Sequence, residues 1–140
     1  MSQSKILLID SVHTELFVAL IDGDNVTLRT CAEQRAHDRN LNKLTGEFLD
    51  KADAFAVVTG PGSWTGSRVG VVAVKAYALV TGKPIIELRA CHSEQSEAIP
   101  SQRDILIAEA KRKFASGEFI TARELAPYYD AEFKVTPPKN

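Results

Sequence analysis

Short apolar runs separated by polar turns divide the first ninety residues into regular elements. Residues 6–9 are continuously apolar and end at Asp10, the pattern of a central strand buried on both faces. Residues 16–21 repeat that pattern, and the turn signal Asp22-Gly23-Asp24-Asn25 joins them to residues 26–31. There polar and apolar positions alternate, which predicts a hairpin whose last strand lies toward an edge. From 37 to 49 the spacing becomes helical, with Leu41, Leu44 and Phe48 on one face and Asn40, Lys43 and Glu47 opposite. Residues 55–59 predict a further strand, ended by Gly60-Pro61-Gly62. Residues 65–80 are rich in valine, yet sixteen unbroken residues closed by Gly82 and Pro84 are too long for a strand, so a helix is expected. Residues 84–88 predict the fifth strand.

Beyond residue 90 the character changes. Residues 93–97 could open a short helix, and 104–114 predict a clearer one, with Lys111, Arg112 and Lys113 near its C-terminal end where they favour the helix dipole. Ser116-Gly117 closes it, and 126–140 read as mostly irregular. Three strands followed by helix, strand, helix and strand predict an α/β fold. The plan is a single ribonuclease-H-like, actin-like ATPase lobe (βββαβαβ) over residues 1–90, with a helical C-terminal extension over 91–140. The right-handed crossover rule leaves few other arrangements for the last two strands.

Composition narrows the function classes. The chain has 140 residues, 44% of them apolar, which suits one domain with a real core. A net charge of −1 argues against a broad phosphate-binding surface, because non-specific nucleic-acid affinity rests on clustered Lys and Arg, and leaves RNA contact to a larger complex. Cys31 and Cys91 have neither metal spacing nor a disulfide-dense context, which favours a reducing compartment. The first residues carry no signal-peptide pattern, and no apolar run approaches the roughly 20 residues that span a bilayer. A cytoplasmic, non-membrane protein is expected.

The glycine turn invites a phosphate or nucleophile reading and fits neither pattern. A Walker loop needs Lys where Ser67 stands, and a nucleophile elbow needs a glycine where Thr65 stands. Ser63 or Thr65 fits better as the helix N-cap. Asp10 ends the first strand, where nucleases of this fold hold metal and ATPases hold nucleotide, and with Ser11 it is the weak candidate for cofactor contact. No second carboxylate converges there from the neighbouring strand, which ends Val58-Thr59-Gly60, so a turn-capping role for Asp10 is preferred. His13, His37 and His92 form no i, i+4 pair with each other or with a cysteine, so no metal site is expected. No catalytic residue is assigned.

The helix over 65–80 argues differently. Only Ser67, Arg68 and Lys75 break its apolar surface, so one sheet cannot cover it. Gly66, Gly70, Ala73, Ala76 and Tyr77 recur at spacings of three and four, a groove of mostly small residues into which another helix could settle. Either a partner or the chain's own 104–114 helix would cover it, and the partner is favoured.

Several segments resemble the bacterial TsaB (YeaZ) family: Ile6-Leu7-Leu8-Ile9-Asp10-Ser11, Gln34-Arg35-Ala36-His37, and above all Gly60-Pro61-Gly62-Ser63-Trp64-Thr65-Gly66-Ser67-Arg68-Val69-Gly70. The resemblance covers about the first ninety residues, and the second lobe usual in that family is largely missing. It implies a non-catalytic subunit in threonylcarbamoyladenosine modification of tRNA. The implied partners are a TsaD-like catalytic subunit and a TsaE-like ATPase, with tRNA touched indirectly, a homodimer when alone, and any ATP bound in the complex rather than by this chain. The implied interface lies on the two helices of the lobe, at Arg35, His37, Leu41, Leu44, Ser63, Trp64, Thr65, Gly66, Arg68, Val69, Gly70, Ala73, Ala76 and Tyr77. A nucleotide hydrolase or peptidase of the actin-like fold, or a self-associating structural protein, are the alternatives.

Overall fold

The computed structural model describes residues 4–12, 16–31, 37–60, 64–89 and 99–126, with the backbone alone at 37–40, 64–67 and 99–102. Five strands form one sheet in the order β3-β2-β1-β4-β5. β1 (Lys5–Asp10), β2 (Leu16–Asp22) and β3 (Asn25–Cys31) make an antiparallel meander. β4 (Ala54–Val58) and β5 (Ile85–Leu88) then add in parallel beside β1. Parallel neighbours need a crossover, which α1 (His37–Thr45) and α2 (Trp64–Thr81) supply. This is the predicted order of elements, and β3 stands at the predicted edge.

The alternation of each strand divides the core in two. Leu7, Ile9, Val18, Phe55 and Val57 face α1 and α2, which contribute Leu41, Val71, Val74 and Ala78. Leu8, Phe17, Ala19, Ala56 and Val58 face the other way, against Leu106 and Ala110 of α3 (Ile99–Ser116). The C-terminal helix therefore packs across the sheet from α2 and does not cover it. The expectation that it could do so fails because the sheet's second face is apolar too, and a sheet apolar on both sides needs a helix on each.

The boundaries of all three helices differ from expectation. α1 stops at Thr45, and residues 46–51 tighten into turns in which Phe48 N–H reaches the Thr45 carbonyl at 2.8 Å. The Thr45 hydroxyl also bonds back to the Leu41 carbonyl at 2.9 Å, a local competition that weakens a helix end. α3 begins five residues before the expected 104 and ends two after 114, closed by Gly117 at φ 73°. Pro100 in its first turn supplies the pre-set φ of a helix start. α2 ends one residue later than expected, at Thr81, where Gly82 takes φ 73° and returns its N–H to the Ala78 carbonyl at 2.8 Å. The short helix expected at 93–97 lies outside the described residues.

The segment after α3 is more ordered than an irregular tail. Ile120 N–H bonds the Ile85 carbonyl at 2.8 Å, so the chain crosses the open edge of β5. It then buries Leu125 completely in the α1/α2 core, on the far side of the sheet from α3. Thr121 and Glu124 hold this turn reciprocally, with Thr121 N–H donating to Glu124 Oε1 at 2.9 Å and Glu124 N–H to Thr121 Oγ1 at 3.3 Å. The Thr121 amide and hydroxyl hold the Glu124 carboxyl below its ordinary pKa. Its contribution is thus present above the unfolded carboxylate pKa and lost as pH falls through the lowered one. Glu124→Gln is expected to lose less stability than the parent between neutral and acid pH, read by thermal melts across that range.

Candidate partner-docking face

The end of β1 is used by the fold itself. Asp10 is 2% exposed, and its Oδ1 accepts the Val12 N–H at 3.0 Å, the turn-capping arrangement preferred from sequence. Ser11 is 1% exposed and its Oγ accepts the Gly70 N–H at 2.9 Å, pinning α2 to the sheet. A Cβ at Gly70 would stand 2.8 Å from that same oxygen and 3.4 Å from Val57 Cγ2. Glycine is required here by close approach, and α2 could not lie this near the sheet otherwise. Among the described residues, no three His, Cys, Asp or Glu side chains gather as a metal site requires. No helix among them is long and apolar enough to cross a membrane.

That geometry corrects the interface read from small-residue spacing. Gly70 is buried, and Val69, Ala73 and Tyr77 pack against the α1/α2 core, so this row faces the chain's own sheet. Tyr77 tilts against Phe55 with ring centroids 5.8 Å apart. Its hydroxyl donates to Asn42 Oδ1 at 2.9 Å and lies 3.0 Å from Thr45 Oγ1, tying α2 to α1. Leu41 is likewise buried and Leu44 half-buried in that core. The physical reason is that the small residues let α2 approach a sheet, where the sequence pattern alone fits a helix equally well. Tyr77→Phe is expected to cost about 1–2 kcal/mol, the worth of a hydroxyl shared with the buried Thr45, measured by denaturant unfolding.

The opposite side of α2 carries what the spacing missed. Val72 is 61% exposed, Leu79 75% and Val80 86%, with Ala76 exposed between them. These positions recur every three to four residues and form one apolar stripe along the helix. Arg68 at its start is exposed and Lys75 beside it is half-buried, and the helix carries no acid. Four neighbouring apolar side chains on one exposed helical face make this the candidate docking surface. Of the residues expected at an interface, Arg68 and Ala76 belong to this face. Trp64, Thr65 and Gly66 form the first turn of α2, and His37 opens α1, with only their backbones described. Arg35 and Ser63 lie outside the described residues. The signal that could have found Val72, Leu79 and Val80 is the sheet-facing role of Gly70, because fixing one face of a helix fixes the other.

The comparisons with known proteins agree with this architecture. YeaZ from Pseudomonas aeruginosa superposes with a TM-score of 0.74 at 16% identity, over 91% of this chain and 100% of that one. A second structure, described as an uncharacterized protein with similarity to peptidase YEAZ from the same organism, gives 0.74 at 15% identity, over 91% and 99%. RuvC from Thermus thermophilus gives 0.52 at 14% identity, over 82% and 98%. The fold is thus the actin-like, ribonuclease-H-like α/β lobe. The family model described as TsaD, tRNA N6-adenosine threonylcarbamoyltransferase, matches residues 31–113, more than half of the chain. This chain belongs to that family. The tRNA N6-adenosine threonylcarbamoyltransferase of Ehrlichia chaffeensis is 43% identical over 61 residues, 39% of this chain and 18% of its own length. The Ehrlichia canis protein of the same description is 44% identical over 61 residues, 39% of this chain and 17% of its own. The match thus spans less than a fifth of the length of these relatives. The resemblance to TsaB (YeaZ) proteins read from the glycine turn fits both the family and the fold.

Proposed function

We propose that this chain is a non-catalytic scaffold subunit in threonylcarbamoyladenosine modification of tRNA, docking a TsaD-like catalytic subunit on the exposed face of α2. One observation carries the reading: the most apolar helix of the fold presents Val72, Ala76, Leu79 and Val80 to solvent. By contrast, the polar groups at the end of β1 are spent on a turn and on pinning that helix. A reacting centre needs polar groups aimed at substrate, so this use of Asp10 and Ser11 supports the scaffold reading. Arg68 and Lys75 at the stripe's margin favour an acidic rim on the partner. The first turn of α2 and the start of α1, at Trp64, Thr65, Gly66 and His37, extend the contact, together with Arg35 and Ser63. In this reading the extension over 91–140 stands in place of a second lobe, a TsaE-like ATPase joins the complex, tRNA is reached through the catalytic subunit, and the site of action is the cytoplasm. The test is co-purification of the tagged chain with the TsaD-like subunit of its own organism. A saturable complex supports the reading, and failure to bind overturns it.

A further inference from the structure

Beyond α3 the chain makes one more pass over the lobe and is held to it at two points. Residues 120–126 lie across the β5 edge, and Thr121, Arg123, Glu124 and Ala126 among them are exposed. The first anchor is the Ile120 N–H, which bonds the Ile85 carbonyl at 2.8 Å. The second is Leu125, fully buried in the α1/α2 core, with Ile120 and Ala122 packed at the margin of that core. Pairing with β5 is a single bridge, whereas β1 is paired along its length with β2 on one side and β4 on the other.

The remaining bonds of this segment are internal. The amides of Glu124 and Leu125 both reach the Thr121 carbonyl, at 3.1 and 3.2 Å, and the Thr121 and Glu124 side chains cap each other. Residues 117–119 form its base. Gly117 takes φ 73° with open space where a Cβ would stand. Glu118 is tied to α3 through the Lys113 carbonyl at 2.9 Å and Arg112 Nη1 at 3.0 Å, and Phe119 meets the Phe114 ring edge-on at 5.6 Å. A segment bonded mainly to itself, fixed at its base and held by two anchors, has the make-up of a unit that opens locally.

We propose that residues 120–126 are a hinged strap, which opens as one unit about 117–119 while the five-stranded sheet stays folded. Closed, the strap caps the β5 edge at Ile85 and fills the slot that Leu125 occupies. Open, it bares both, so strap closure decides whether this edge of the sheet is available for pairing. Leu125 is the plug that sets the balance, because it is the one fully buried side chain of the strap. The reciprocal Thr121 and Glu124 cap makes the strap move together, since it shortens the seven residues into one turn.

The experiment is amide exchange of the full chain by NMR, across a series of dilute denaturant concentrations. The expected result is a common protection factor for the Ile120 and Leu125 amides, about a hundredfold or more below those of β1 and β4 and insensitive to denaturant. Leu125→Ala should lower both strap values together, by about tenfold or more, and keep the amide pattern of the sheet. Strap protection equal to that of β1, falling along the same denaturant slope, overturns the proposal, because the strap then opens only when the sheet does. Unequal protection at Ile120 and Leu125 overturns it as well, since the two ends would not open together. So does loss of the sheet's amide pattern in Leu125→Ala, which would make the strap part of the sheet's own folding unit.

Discussion

Gly70→Val should lower stability by about 3 kcal/mol and Tm by on the order of 10 °C. Even the first added carbon would stand 2.8 Å from Ser11 Oγ, and Ser11 is buried and held by the end of β1. α2 must then move off the sheet, lifting Val71, Val74 and Ala78 from the core they share with Phe55 and Val57. The buried serine also loses the Gly70 N–H that it accepts. Calorimetry on Gly70→Ala alone and combined with Ser11→Ala separates these effects. The double variant removes the colliding oxygen, so it should recover much of the loss if close approach is the cause. Purely additive losses would contradict that account.

Leu79→Lys should act in the opposite way, sparing the fold and abolishing the contact. Leu79 is 75% exposed, so its replacement by a good helix former near the helix C-terminus should change stability by no more than about 0.5 kcal/mol. At the centre of an apolar contact, the same change should cost about 2 kcal/mol or more, some thirtyfold in affinity. Cells relying on the variant should show a corresponding fall in threonylcarbamoyladenosine in their tRNA. Unchanged modification with weakened binding would separate the scaffold's docking from the pathway it is proposed to serve.

The strands, their order and the edge position of β3 were legible because alternation and turn chemistry are local signals. The orientation of α2 was not. Valine occurs on nearly all sides of it, so helical periodicity cannot say which face is buried, and the small residues fit a sheet as well as a partner helix. What decides is a contact between positions 59 apart, Ser11 with Gly70, which no local pattern contains. Leu125 was hidden for the same reason, since its pocket lies across the β5 edge from the helix that precedes it. Yet the reciprocal Thr121 and Glu124 cap, and Pro100 in the first turn of α3, were both readable as helix-end signals. The turn at Asp10 was legible too, because an aspartate that ends a strand has a local use at hand in the backbone N–H two residues on.

The docking of a TsaD-like subunit on the exposed stripe of α2 is tested most directly by calorimetric titration of that subunit with the parent chain and with Val72→Glu/Leu79→Lys. The expected outcome is a saturable one-to-one heat for the parent, and none for the double variant, with both chains melting alike. Equal heats for the two chains would contradict the account.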